Sequence, residues 1–312
     1  NSTYLRGDGS WQAIVQGLSS DAQRNTVGGT NAGDSFDGTT PDDNTLIGYN
    51  AGTAITTGVE NVAIGSEAFK TATTAYYSVA VGYKALEDCT TGYQNTAVGY
   101  QSLKDVTTGI NNTAIGFDTG RTLTTAVRST LMGTQAGVLI TTATDNTFIG
   151  NYAGAATTTG NWNTAIGSDA LLSNTTGTNN VAIGQNAGED SVSASNNVFI
   201  GRDAGKDITT GGQNISMGSY SFQTATTPVS TTALGHAALQ NLTTGSSNTA
   251  VGRDSANQVT TGEDNTIVGV FAGDALTTGS NNLILGHDAA ASAVTVSNEI
   301  TLGDTNITKF RI

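Results

Sequence analysis

Aromatic and polar side chains recur together at one spacing in the first half of the sequence. Three aromatic residues follow one another at equal intervals of seventeen, and a polar residue directly follows each of them. They are Tyr83, Tyr100 and Phe117, followed by Lys84, Gln101 and Asp118. Aromatic rings beside hydrogen-bonding groups suit contact with a sugar ring. The pattern predicts a receptor-binding surface on these six residues. The alternative is that the rings stack on one another to stabilise a turn, or that they cover a neighbouring chain.

Carboxylates recur as well, but their pattern does not predict a catalytic centre. Asp118, Asp169, Asp203, Asp254 and Asp288 occupy the same place in a repeat. Paired carboxylates can hydrolyse glycosides, yet no insertion interrupts the spacing to form a pocket. The Gly-Gly-x-Gly-x-Asp calcium repeat is absent, although calcium binding along the Asp columns stays open. We therefore expect a chain that is not an enzyme, with no catalytic residue, no metal ligand and no cofactor.

Histidine and cysteine offer no further site. His236 and His287 share one repeat position three repeats apart, about 14 Å for stacked strands, whereas zinc binds nitrogen at about 2 Å. Both are predicted to be exposed turn residues. Cys89 is predicted to be a small buried hydrophobic residue, because Ile55, Val106, Leu123 and Ile140 occupy the same repeat position. The acidic residues before it would not activate a thiol. Residues 6–8 spell Arg-Gly-Asp, but their Gly-Asp-Gly setting favours a turn over integrin binding.

All of these residues belong to one repeat with a period of seventeen. A glycine recurs at this spacing sixteen times, from Gly48 to Gly303, without insertion or deletion. Counting that glycine as position 0, position 13 is Asn in twelve of sixteen repeats, and positions 8 and 9 are almost always Thr. Such a register predicts coils that lie on one another. The fold class expected is all-β, a parallel β-solenoid or β-roll of sixteen coils, about 72 Å long at about 4.8 Å per coil.

Each coil is expected to contain two strands, at positions 13–16 and 5–8. Positions 14 and 16 are assigned to the interior. Position 15 is Ala in eight coils and a larger apolar residue in six, and a strand that is apolar on both faces is buried on both. We therefore expect a trimer in which the strand bearing Ala97 and Ala114 faces the molecular axis. Positions 5 and 6 carry charged residues and are expected to face solvent.

Composition excludes two classes of partner. The net charge of −13 disfavours nucleic acid and anionic membrane surfaces. A membrane-spanning helix needs about 20 consecutive apolar residues, and no apolar run in the sequence approaches that length, so membrane insertion is not expected. Three segments are predicted: an irregular connector with a degenerate first coil over 1–43, the repeat solenoid over 44–304, and an exit segment over 305–312.

Two resemblances bear on function. Residues 95–100, 112–117 and 163–168 resemble the N-S-V-A-I-G repeats of trimeric autotransporter adhesin heads, whose coils are shorter. That resemblance implies left-handed parallel β-rolls with three chains around a common axis. Residues 5–11 and 299–304 resemble connectors of bacteriophage tail fibres and tailspikes. In those proteins the second segment commonly precedes a self-cleaving chaperone domain that drives trimerisation.

The sequence thus predicts a homotrimeric tail-fibre or tailspike shaft, a structural and receptor-binding fibre of a virion. Its partner would be a glycan or protein on a bacterial cell surface. The alternative is a bacterial trimeric adhesin of the same architecture on the extracellular cell surface. An ice-binding solenoid is the third hypothesis. The Thr-Thr pairs argue against it, because adjacent residues of a strand point in opposite directions.

Overall fold

Small and β-branched residues after each position-13 residue form one short strand per coil. The computed structural model describes residues 3–5, 11–13, 19–21, 23–36, 41–307 and 309, with side chains from residue 21 onward. These residues form strands, turns and bends, and among them there is no helix that could cross a membrane. The chain divides into two units, Asn1–Ser129 and Thr130–Ile312. The Arg-Gly-Asp tripeptide lies outside the described residues.

Unit 1 begins with two antiparallel pairs and continues as a parallel stack. Its strands are β1 (Thr3–Leu5), β2 (Trp11–Ala13), β3 (Ser19–Ser20), β4 (Thr26–Gly28), β5 (Thr45–Ile47), β6 (Val62–Ile64), β7 (Val79–Val81), β8 (Thr96–Val98) and β9 (Thr113–Ile115). Strands β1 and β2 pair antiparallel, as do β3 and β4. From β4 to β9 each strand pairs in parallel with the next. The first of these pairs sets Thr26 opposite Thr45, two residues more than one repeat, and the later pairs keep the repeat spacing.

Unit 2 is a parallel stack throughout. Its strands are β10 (Thr130–Met132), β11 (Thr147–Ile149), β12 (Thr164–Ile166), β13 (Val181–Ile183), β14 (Val198–Ile200), β15 (Ile215–Met217), β16 (Thr232–Leu234), β17 (Thr249–Val251), β18 (Thr266–Val268), β19 (Leu283–Leu285) and β20 (Ile300–Leu302). Every neighbouring pair is parallel, with residues one repeat apart opposite each other. The predicted all-β parallel solenoid is confirmed.

The strand faces are the reverse of those predicted. Position 15 does not face a second chain: Ala97 and Ala114 are 0% exposed within the single chain. Positions 14 and 16 point outward, so Thr113 is partly exposed and Ile115 is 38% exposed. The reason is the thinness of the coil. A three-residue strand directs only its middle side chain inward. That side chain must be small unless the residue opposite it in the coil, at position 4, is small.

The predicted second strand at positions 5–8 was also wrong. This side of the coil is a run of turns, because positions 2 and 4 adopt the left-handed conformation, as at Lys84 (φ 57°) and Leu86 (φ 52°). Local hydrogen bonds close the turns, including Cys89 N–H to the carbonyl of Leu86 (3.2 Å). Coils are still joined here: the Thr73 hydroxyl donates to the carbonyl of Thr90 (3.2 Å).

A column of buried asparagines joins the coils at position 13. In unit 2 the Asn163 Oδ1 accepts the backbone N–H of Asn180 (3.0 Å) and its side-chain amide (3.1 Å). Asn180 in turn accepts the backbone N–H of Asn197 (3.0 Å) and donates to the carbonyl of Ala194 (2.7 Å). Each amide thus satisfies buried groups of its own coil and of the next. Since unpaired buried polar groups are costly, the column holds neighbouring coils in register.

The core contains position 7, buried at Ile55, Leu123 and Leu276 among others, and a pair of positions, 15 and 4. In most coils this pair contributes one large side chain, from position 15 or from position 4 six residues later. In these coils a large residue at one position accompanies a small residue at the other. The pairs are Leu46/Gly52, Ala63/Phe69, Ala80/Leu86, Ala97/Leu103, Leu131/Gly137, Phe148/Gly154, Ala165/Leu171, Phe199/Gly205, Ser216/Phe222, Ala233/Leu239, Ile267/Gly273 and Ile284/Ala290. A Cβ added at Gly154 would lie 2.4 Å from Cε2 of Phe148. Position 4 therefore needs a small residue wherever position 15 fills the coil.

A double-mutant cycle tests this exchange of volume. Phe148→Ala should destabilise the chain by about 3–5 kcal/mol through the cavity that it leaves. Gly154→Leu alone should destabilise it through overlap with Phe148. The double variant reproduces the Ala165/Leu171 pair. Its loss of unfolding free energy should be smaller, by at least about 1 kcal/mol, than the sum of the losses in the two single variants. Urea unfolding followed by circular dichroism measures the three values, and simple additivity would contradict the packing account.

Substitutions in the asparagine column should destabilise the chain in proportion to the hydrogen bonds that they remove. Asn180→Ala leaves the N–H of Asn197 and the carbonyl of Ala194 without partners, and each unpaired group should cost about 1–3 kcal/mol. Asn180→Ser should cost less, because the Ser78 hydroxyl already accepts the N–H of Asn95 at the same position (3.2 Å). Urea unfolding midpoints measure both effects. Equal midpoints for the two variants would show that these hydrogen bonds do not stabilise the coil.

Candidate functional site

The three predicted aromatic residues form one exposed column at the edge of the unit 1 sheet. Each follows a repeat glycine with a φ between 134° and 143°, which turns the chain out of the strand and directs position 1 to solvent. Tyr83, Tyr100 and Phe117 are 41%, 43% and 47% exposed. The three rings lie in successive coils on one side of the sheet, and their receptor-binding role stays a prediction.

Stacking decides which parts of the rings are accessible. The centroids of Tyr83 and Tyr100 are 5.3 Å apart with planes at 25°, and those of Tyr100 and Phe117 are 5.1 Å apart with planes at 8°. These spacings follow the distance between neighbouring strands. Both faces of Tyr100 are occupied by its neighbours. The column therefore offers ring edges and the two tyrosine hydroxyls to a ligand, more than it offers open ring faces.

The polar residues at position 2 have different surroundings. The Lys84 ammonium lies 3.0 Å from Glu87 and 3.5 Å from Glu67, and 5.6 Å from the Tyr83 centroid, within reach of a cation–π interaction. Gln101 is half-buried beside the column. Asp118 is only 6% exposed, and its Oδ1 has no hydrogen-bond partner in the part of the chain that the structure describes. Of the three, Lys84 and Gln101 keep some exposure, and Asp118 very little.

An ion network holds Lys84 in place. Glu87 is nearly buried and lies within 4 Å of three ammonium groups, those of Lys70 (3.9 Å), Lys84 (3.0 Å) and Lys104 (3.6 Å). The hydrogen bond to Glu87 raises the pKa of Lys84. The hydrogen bond from Lys70 holds the pKa of Glu67 below its usual value. Lys84 and Glu67 therefore stay charged at neutral pH, which fixes a positive charge next to Tyr83.

A second aromatic cluster was missed by the sequence analysis. Tyr76 and Tyr93 stack with centroids 4.5 Å apart and planes at 10°, and Tyr77 meets Tyr76 edge-on at 5.0 Å. Tyr76 and Tyr93 both occupy position 11, so alignment of the repeats could have revealed them. They precede strands β7 and β8, whereas Tyr83 and Tyr100 follow the same strands. Aromatic residues therefore border both edges of the unit 1 sheet.

Histidines and carboxylates do not converge on a metal site in the described residues. No group of three or more His, Cys, Asp or Glu side chains there could hold a metal ion. His236 and His287 are exposed turn residues; the first contacts Tyr220 edge-on, and the second lies 3.0 Å from its neighbour Asp288. Two surface hollows in the last coils of unit 2 are lined by backbone and by scattered polar groups, among them Asp288, Asp304 and Glu299.

Comparison with known proteins gives no relative. No protein-family model matches the chain, and neither the curated proteins nor the solved structures contain a match.

Cys89 provides a test of the core next to this site. Its side chain is 0% exposed, and burial raises the pKa of the thiol to about 12. Because only the thiolate is nucleophilic, iodoacetamide at pH 8 should not modify the folded chain and should modify the urea-unfolded chain fully. Mass spectrometry measures the difference. Rapid modification of the folded chain would contradict the burial of position 7.

Proposed function

We propose that the chain is a structural and receptor-binding fibre, the homotrimeric shaft of a viral tail fibre or tailspike that attaches to a bacterial cell surface. It is proposed to act by binding, without catalysis. Its partner would be a glycan or protein of the host surface. Within each unit the coils repeat without a break and are joined by backbone and side-chain hydrogen bonds. Such a stack is a stiff support for weak contacts that must act together.

The observation that carries this proposal is the exposed aromatic column. At position 1, most other coils have small or polar residues, such as Ser66, Ser168 and Ser219. Three consecutive coils instead expose Tyr83, Tyr100 and Phe117, although no packing requirement of the coil calls for an aromatic residue there. Exposed aromatic residues in a row are unfavourable in water unless something covers them. A surface ligand is the covering that we propose.

The column defines how a glycan would bind. Ring edges and C–H groups would contact its apolar patches, and the hydroxyls of Tyr83 and Tyr100 would exchange hydrogen bonds with sugar hydroxyls. The Lys84 ammonium, held between Glu67 and Glu87, adds a hydrogen-bond donor beside the rings. A single such contact is weak, and three copies on one trimer would multiply it through avidity.

Substitution of the tyrosines tests the proposal. The variant Tyr83→Ser with Tyr100→Ser should bind an array of bacterial surface glycans, or cells of the bacterial host, at least about tenfold more weakly, a loss of about 1.4 kcal/mol. Its sedimentation and circular dichroism should equal those of the unchanged chain, which separates a lost contact from a lost fold.

Tyr49→Ser is the matched control. Tyr49 occupies the same repeat position and is 52% exposed, but Ser66 separates it from the column. It should leave binding unchanged. Wild-type binding by the double variant, or an equal loss in the control, would refute the column as the receptor site.

A further inference from the structure

The outward sheet face consists of the side chains at positions 14 and 16 of the parallel strands. We infer that this face is the surface through which copies of the chain pack on one another. The inference rests on the proposed homotrimeric fibre and names its interface. It replaces the predicted contact through position 15, whose side chains fill the interior of the coil.

Exposed aliphatic side chains are aligned on this face in both units. At position 16 in unit 1, Ile64 and Ile115 are both 38% exposed. In unit 2 the exposed members are Met132 (38%), Ile183 (37%), Leu234 (43%), Val268 (37%) and Leu302 (43%). The position 16 residues between them are aliphatic or methionine and are partly exposed, so the row is continuous within each unit. Single exposed aliphatic residues are ordinary on a protein surface, but a contiguous row marks an interaction site.

The charge distribution favours an identical chain as the partner. Neither position 14 nor position 16 is charged in any strand from β5 to β20. The net charge of −13 lies on the other surfaces, chiefly the turns that carry residues such as Glu87 and Asp207. Two copies of an acidic chain repel one another over most of their surfaces. They can approach without like-charge contact on the outward sheet face.

The face is regular and extended within each unit. In-register parallel pairing keeps each row straight within its unit. With strands about 4.8 Å apart and about 3.3 Å per residue, the footprint is about 300 Å² for the six parallel strands of unit 1 and about 500 Å² for the eleven of unit 2. Stable protein interfaces bury about 800 Å² per partner. The unit 2 face alone supplies more than half of that area.

Charged substitutions test the face. Ile115→Glu with Ile183→Glu places one acidic residue on the outward face of each unit. The matched control, Thr108→Glu with Thr176→Glu, adds the same charge to the same two coils at position 9, which is exposed in the turns. By analytical ultracentrifugation, wild type and control should sediment as a multiple of 31.6 kDa, and the face variant should sediment as one chain. A monomeric wild type, or a face variant that assembles like the control, would overturn the inference.

Cross-linking tests the same interface without an added charge, and it remains informative if the charged variant does not fold. Ile115→Cys keeps a small apolar side chain on the face, and Thr108→Cys is its control off the face. The native Cys89 is buried and is expected not to react in the folded chain, so a short bismaleimide should report only the new thiol. Covalent dimers should form with Ile115→Cys and not with Thr108→Cys; the reverse pattern would refute the face.

These experiments separate the interface from the function that it serves. If the chain is monomeric and binds glycans through Tyr83 and Tyr100, the interface is wrong and the receptor site stands. If the chain assembles through the face but glycan binding is absent, the interface stands and the receptor proposal fails. A monomer that produces thermal hysteresis through this face would assign it to ice and would also overturn the inference.

Discussion

The close stacking of one coil on the next is the constraint on which the rest of the structure depends. At the repeat glycines the backbones approach so closely that a Cβ at Gly99 would lie 2.1 Å from the carbonyl oxygen of Gly116. The buried asparagine column links the same coils a few residues away. Both columns continue into the longer first coil, where Asn25 Oδ1 accepts the backbone N–H of Asn44 (2.9 Å) and a Cβ at Gly29 would lie 2.5 Å from the carbonyl oxygen of Gly48. The two columns therefore hold the register between neighbouring coils.

Close stacking also makes the interior narrow, and the narrow interior governs the core sequence. A coil has room for about one large side chain between position 15 and position 4. Leucine or phenylalanine at position 4 accepts a left-handed backbone, as at Phe69 and Leu171 (φ 55° and 51°), although that conformation is unfavourable for such residues. In most coils the turn keeps the same backbone geometry, whether the large side chain comes from position 15 or from position 4. Ala182 and Gly188 are both small, and there Phe199 and Leu171 of the adjacent coils fill the gap.

Because the interior is filled by so few residues, most of the side chains are outside and are free to differ in function. The turns carry the charges, including the lysine–glutamate network around Glu87. The outward sheet face carries only uncharged residues, most of them β-branched or aliphatic, and aromatic columns border it in unit 1. One repeat therefore supplies three kinds of surface: charged turns, an uncharged sheet face and, in unit 1, aromatic columns. The fibre that we propose would use the second for assembly and the third for its ligand.

The sequence alone determined the coil length, the parallel stacking, the asparagine column and the grouping of Tyr83, Tyr100 and Phe117, because each depends only on residue type and on a strict period. It did not determine which face of the strand points inward. Alternation along a strand is symmetric, and Ala at position 15 is equally compatible with a narrow interior and with a tight contact between chains. The tertiary structure shows that position 15 points inward. There it shares the core with position 4, which in most coils is large where position 15 is small and small where position 15 is large. The tertiary structure also decided that the segment over positions 5–8 is a run of turns, since left-handed backbone at residues such as Leu86 and Phe69 is set by stacking and has no signature in their residue types.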